Sequence, residues 1–220
     1  MKQISKEERK VDWIKIIAAF ALSCLIFIAG IALGTLITKD KVESIVTLEK
    51  EARLELETLS LEEKLFEQNP CIDPSHLSKK LDDLGTKLTY LESQYSKNSK
   101  EIMDLKKPYT LLELRHYFAL KNMIEKCNYN YTLILFFYSN SPENIKISEE
   151  QGFVLDYLKK KFGNVKIYSF DSDLDLDIIK LMKEMYGLTI IPSIVINDKV
   201  YAGFHSKEEL EKLLEINSKI

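Results

Sequence analysis

Gly187–Phe204 reads GLTIIPSIVINDKVYAGF. TIIPSIVIN and KVYAGF are β-branched, apolar runs, and NDK between them is a short hairpin turn. Pro192 stands at the mouth of an otherwise central-looking strand. Its missing N–H forfeits a ladder bond there, so its presence needs a structural reason. Working outward, DLDIIKLMKEMYG is a helix that ends at Gly187, and NVKIYSF before it is a strand. SEEQGFVLDYLKKKFG is an amphipathic helix with Phe153, Leu155, Leu158 and Phe162 among its apolar positions, stopped by Gly163. YTLILFFYS is a continuous β-rich run, as in a strand covered on both faces. On the C-terminal side SKEELEKLLEIN is a helix with a capping box, Ser206 and Glu209. From Asn130 onward the order is therefore βαβαββα.

This pattern resembles the thioredoxin-like superfamily over Asn130 to about Asn217. The resemblance rests on Pro192, on the small hydroxyl residue Ser193 behind it, and on the β-branched run and turn that follow. The element order itself reads as first crossovers that join parallel strands and a last pair that forms a hairpin, and the resemblance accordingly implies an α/β fold. It also implies a cis bond before Pro192. In that family an extended peptide pairs with backbone beside the cis-proline, so Ile191 and Pro192 are the expected edge of a peptide groove. The SNSPENIKIS loop (139–148) is its expected other wall.

The chain departs from the family's redox members at one place. They carry Cys-x-x-Cys at the end of the first strand, where the following helix N-terminus stabilises a thiolate. The corresponding stretch here is SNSPENIKISEEQ, residues 139–151. Ser139 and Ser141 do not substitute, because an alkoxide is far too basic for disulfide exchange. No catalytic residue is assigned, and the reading leans against an enzyme.

Upstream, residues 16–37 carry no charge over 22 positions. At about 1.5 Å per residue this run is roughly 33 Å of helix, a bilayer-core thickness. A transmembrane helix is expected over residues 16–38, with Trp13 at the interface. A cleaved signal peptide competes, but its apolar region is normally only about 7–15 residues long. Lys2, Lys6, Arg9, Lys10 and Lys15 outweigh Lys39, Lys41, Lys50 and Arg53 slightly. Residues 1–15 are therefore expected in the cytoplasm and everything after the span outside it. Gly30 and Gly34 form a small-xxx-small pair suited to helix dimerisation.

Residues 39–128 read as a helical, coiled-coil-like stalk before a thioredoxin-like domain at 129–220. Its helices are expected at about 41–68, 75–106 and 110–126, with breaks at NPCIDPSH and Pro108. Leu77, Leu81, Leu84, Leu88, Leu91, Tyr95, Asn98, Ile102 and Leu105 alternate four and three apart, a heptad seam. Its partner is either the preceding helix, folded back as an antiparallel hairpin, or the same helix in a second chain.

Of three cysteines, Cys24 lies in the membrane span. Cys71 and Cys127 are left in an oxidising compartment, and a structural disulfide between them is expected. Pairing between chains competes, and so does a zinc site with His76 and His116, although the spacing fits no compact ligand motif. DSDLDLD (171–177) lacks the glycine and glutamate of a calcium loop and reads as helix-capping acids. Asn130 opens a glycosylation sequon at a strand start. A formal net charge of -3 implies no strongly basic surface, which argues against nucleic acid as a partner. No metal or cofactor is implied.

The sequence thus points to a single-pass protein whose extracytoplasmic domain binds an unknown protein or peptide without catalysis. A membrane-tethered thiol–disulfide oxidoreductase or isomerase using Cys71 and Cys127 is the alternative. A homodimer assembled through the heptad seam is a third reading.

Overall fold

The computed structural model of the chain describes residues 13–68, 71 and 75–217. Helix α1 is Trp13–Gln68. The chain divides into two units, residues 1–44 and 45–220. In the first, Trp13–Thr35 is a 23-residue helical stretch of mean hydropathy 2.8, long and apolar enough to cross a membrane. Its large side chains are exposed, Ile14 by 80% and Phe20 by 70%.

In the second unit, helices α2 (Ser75–Gln94) and α3 (Lys100–Cys127) precede strand β1 (Thr132–Tyr138). There follow α4 (Ile145–Lys161), β2 (Val165–Asp171), α5 (Asp177–Tyr186), β3 (Ser193–Ile196), β4 (Lys199–Ala202) and α6 (Lys207–Asn217). The strands form one sheet in the order β2-β1-β3-β4. β1 and β2 run parallel across the α4 crossover. β3 is antiparallel to β1, in the register Phe137↔Ser193 and Leu135↔Val195. The expectation that both early crossovers join parallel strands thus holds for α4 and is corrected for α5. β3 is also shorter than TIIPSIVIN, because Pro192 falls just outside the ladder. Asn197 and Asp198 both have positive φ, 50° and 61°. That pair of left-handed residues makes the tight β3–β4 turn.

Strand alternation sorts the apolar side chains onto two faces. Ile134, Phe136, Ile194 and Ile196 pack with Leu155 and Leu158 of α4 and Leu210 and Leu214 of α6. Leu135, Phe137, Tyr168, Phe170 and Val195 pack on the opposite face with Ile179 and Met182 of α5 and Ile102, Leu105 and Tyr117 of α3. Leu81, Leu84, Leu88 and Leu91 of α2 and Ile45, Leu48 and Leu59 of α1 belong to this same core. Lys80–Glu55 at 2.6 Å and Lys87–Glu51 mark an antiparallel α1–α2 pairing. Gly85 makes the close helix approach possible: a Cβ there would lie 2.5 Å from the Tyr109 hydroxyl.

The stalk is corrected in two respects. The helix expected at 75–106 ends at Gln94, and a new one starts at Lys100. Ser99 caps it, its Oγ accepting from the Ile102 N–H at 3.4 Å. The expected break at Pro108 does not occur; the proline lies inside α3. An interior proline costs about 3 kcal/mol. Burial of Ile102, Leu105, Leu112 and Leu114 on either side offsets it. Nor is the heptad series one uninterrupted seam, since Tyr95 and Asn98 lie between helices and its leucines join the sheet's core. Leu77, whose side chain is not described, falls outside this comparison. The boundary expected at 128/129 therefore does not separate the helices from the sheet: α3 covers one sheet face.

Candidate functional site

The C-terminal ends of β1 and β2 and the start of β3 meet at one edge of the sheet, because β3 runs opposite to both. Ile191–Pro192 is cis. The Pro192 carbonyl accepts from the Gly203 N–H at 2.8 Å, and the Ile190 carbonyl from the Ser193 hydroxyl at 2.6 Å. Pro192 has no N–H, so it offers nothing further for pairing. Alternation in the antiparallel ladder aims Ser193 at β1, Pro192 at β4, and Ile191 at β1 again. Opposite Ile191, however, β1 has ended and the chain turns away at Ser139. The N–H and C=O of Ile191 make no hydrogen bond among the described residues. Apolar side chains flank this position, with Ile190 54% and Phe204 42% exposed.

The loop that leaves β1 is fixed by polar contacts. The Asp173 carboxylate accepts from the Ser139 hydroxyl at 2.8 Å and the Asn140 N–H at 2.9 Å. The Ser139 N–H donates to the Ser148 hydroxyl of α4 at 3.2 Å. Asp171, 1% exposed, accepts from Asn140 Nδ2 at 2.9 Å, from the Asp173 N–H at 3.0 Å and from Lys106 Nζ at 2.7 Å. Lys106 also meets Glu92 at 2.8 Å. The position at which a dithiol would sit therefore holds hydroxyls, an amide and carboxylates that satisfy one another. Neither described histidine contacts these serines. His116 bridges Tyr168 at 2.8 Å and Ser78 at 3.3 Å, and burial pushes its imidazole down to about 4. His205 lies beside Glu209 at 3.5 Å.

Cys71 and Cys127 are joined by a disulfide with Cα atoms 5.5 Å apart. The Tyr129 hydroxyl donates to the Cys71 carbonyl at 3.0 Å. Cys127 precedes the N-terminal end of β1, whereas Ile191 faces its C-terminal end. Six residue steps of strand separate those ends, about 20 Å. The structure thus puts the disulfide and the cis-proline at opposite ends of β1. With both sulfurs in the bond, neither is a zinc ligand. The His76 side chain is outside those described. Asn130 is exposed, but the sequon threonine, Thr132, is buried.

Sequence reasoning missed Lys106 and Glu113. Lys106, Thr110, Glu113, Tyr117 and Leu120 alternate four and three apart on α3 and all five are buried, but with three of the five polar the series does not read as a buried face from sequence. Polar residues in an apolar stripe mark a satisfied internal network or a site.

No protein-family profile matches the chain, and no curated protein does. Among solved structures it is similar to a malarial protein, at 17% identity and TM-score 0.34 over 40% of this chain and 98% of that one. It is similar to chloroplastic thioredoxin z at 16% identity and TM-score 0.36, over 46% of this chain and 90% of that one. It is also similar to thioredoxin-2, a component of the malaria parasite's protein secretion machinery, at 18% identity and TM-score 0.33, over 39% of this chain and 82% of that one.

Proposed function

We propose that this chain is a membrane-anchored thioredoxin-fold protein that holds an extended segment of a partner protein outside the cytoplasm, without dithiol chemistry. The observation that carries the reading is Ile191, whose N–H and C=O face the space beyond the end of β1. A peptide strand there gains two backbone hydrogen bonds, and Ile190 and Phe204 offer apolar contact to alternate side chains. The facing loop contains no sulfur and its hydroxyls are engaged. Residues 13–35 serve as the anchor, with the slight excess of N-terminal lysine and arginine keeping that end cytoplasmic.

The test combines an activity with a capture. Full-length protein in nonionic micelles is expected not to accelerate insulin reduction by dithiothreitol. A photo-reactive side chain at position 190 is expected to crosslink an extended, apolar peptide library in preference to the same chemistry at the exposed Leu181. Insulin reduction abolished in C71S/C127S would establish the competing enzyme. Equal crosslinking from both positions would remove the groove.

A further inference from the structure

A cavity of about 730 Å³ lies among α2, α3, α4 and the outer edge of β2. Its size is in the range of ligand sites, about 300–1,000 Å³. β2 is one of the sheet's two edge strands. Ser172 donates to Tyr138, so the parallel ladder turns the even residues of β2 towards β1 and the odd ones away. Ile167, Ser169 and Asp171 accordingly line the cavity. Glu113 of α3 closes one of these edge positions, its Oε1 accepting from the Ser169 N–H at 3.1 Å. Its Oε2 is buried with no hydrogen-bond partner. Glu113 as a whole is 4% exposed and lines the cavity.

The cations of the cavity wall are already engaged. Lys97 meets Glu149 at 2.6 Å, Lys159 meets Asp82 at 2.7 Å, and Lys106 is held by Asp171 and Glu92. Glu113 alone among these wall acids has no ion-pair partner among the described residues. We propose that this cavity binds a monocation, an alkyl ammonium or alkyl guanidinium, whose head group donates to Glu113 Oε2 while its hydrocarbon body lies along Phe136, Leu155 and Ile167. The tyrosines Tyr109 and Tyr138 in the same wall suit a cationic head. Two sources share this chemistry, a free small amine or guanidine and a basic side chain of a protein.

Burial raises the Glu113 carboxyl to about 8, so near neutrality it is mainly protonated. A bound cation favours the carboxylate and releases that proton. The other titratable groups of the wall are Asp82, Tyr90 and Glu92 on α2, Lys106 and Tyr109 on α3, Tyr138 on β1, Glu149, Asp156 and Lys159 on α4, and Asp171 on β2. Lys97 lies between α2 and α3.

The experiment is calorimetric titration of the full chain in nonionic micelles. The probes are butylguanidinium, the capped tripeptide acetyl-Gly-Arg-Gly-amide, and the neutral isostere butylurea. At least one cationic probe is expected to bind about tenfold or more tightly than butylurea, as for a charge-assisted hydrogen bond. Binding is expected to release protons, read as a dependence on buffer ionisation heat. Glu113→Gln retains the acceptor for Ser169 and is expected to lose that preference with an unchanged far-UV spectrum. Thr86→Trp, at an exposed position of the wall, is expected to weaken both cationic probes without touching Glu113. Binding of butylguanidinium alone identifies a free small cation, and binding of the tripeptide identifies a basic side chain. Equal affinity for butylurea, or cation binding unchanged in Glu113→Gln, overturns the proposal; so does no binding by either cation at millimolar concentration.

Discussion

Replacing Lys106 with methionine removes the single cation between two acids and keeps most of the side chain's volume. The Lys106 side chain is 3% exposed and that of Asp171 1%, whereas Glu92 retains 17%. Glu92 can therefore turn towards water, and the cost falls on Asp171. Breaking one side of a buried ion pair costs about 3–5 kcal/mol, because the remaining charge is left uncompensated. Asp171 keeps two of its donors, Asn140 Nδ2 and the Asp173 N–H. The lower end, about 3 kcal/mol, is therefore expected. For a unit of this size that is a fall in Tm of roughly 6–12 °C. Thermal melts of the wild type, K106M, D171N and the double variant complete the cycle. D171N alone is expected to cost less, since Lys106 keeps Glu92. The double variant is expected to recover part of the K106M loss, because no buried carboxylate then lacks its cation. A K106M melt within about 3 °C of wild type, near 1 kcal/mol, would refute the reasoning; so would a double variant no more stable than K106M.

Glu113 lifts stability at low pH: fully protonated in both states below 4.5, it weakens the fold as pH rises towards 8, by several kcal/mol in all. E113Q is expected to remove this slope, which denaturation at a series of pH values measures; parallel profiles for the two proteins would count against the burial argument. His116 works in the other direction, stabilising the fold above pH 6.5 and losing that contribution as pH falls towards 4. Its imidazole NMR signals are expected to stay neutral at pH 5.5, and a midpoint near 6.5 would contradict its burial. The Cys71–Cys127 bond closes a loop with a sequence separation of 56. C71S/C127S is expected to lose about 4 kcal/mol by chain entropy, and an unchanged urea midpoint would mean that the loop is already ordered without the bond.

Local chemistry made much of the fold legible. The Ser206–Glu209 capping box forms in both directions, at 3.0 and 3.3 Å. Asn197-Asp198 turns the last hairpin, and the strands were legible as continuous β-branched and apolar runs, although β3 is shorter than its run. The direction of β3 was not legible, since no local signal distinguishes a strand that follows a crossover helix in one sense from the other. Pro108 misled for a related reason: propensity marks it as a breaker, but the packing of α3 on the sheet outweighs one lost hydrogen bond. The actual break, at 95–99, carries no proline. Around the candidate site, Ile191 and Pro192 were singled out by the family resemblance, whereas nothing in the sequence singled out Glu113 and Lys106. A charged residue in a helix reads as solvated until tertiary structure shows what covers it.

The bond between Cys71 and Cys127 encloses all of α2 and α3 in a covalent ring. The connection at 95–99, where Lys97 has an exposed side chain, is a stretch between helices of that ring, among the described residues, that a protease can reach. A cut there opens the ring but severs nothing: the N-terminal portion and the β-sheet stay covalently joined until a reductant opens the bond. Proteolysis at this point would therefore leave the two pieces covalently joined, and after reduction only the packing of α1 and α2 on the sheet's core would hold them together.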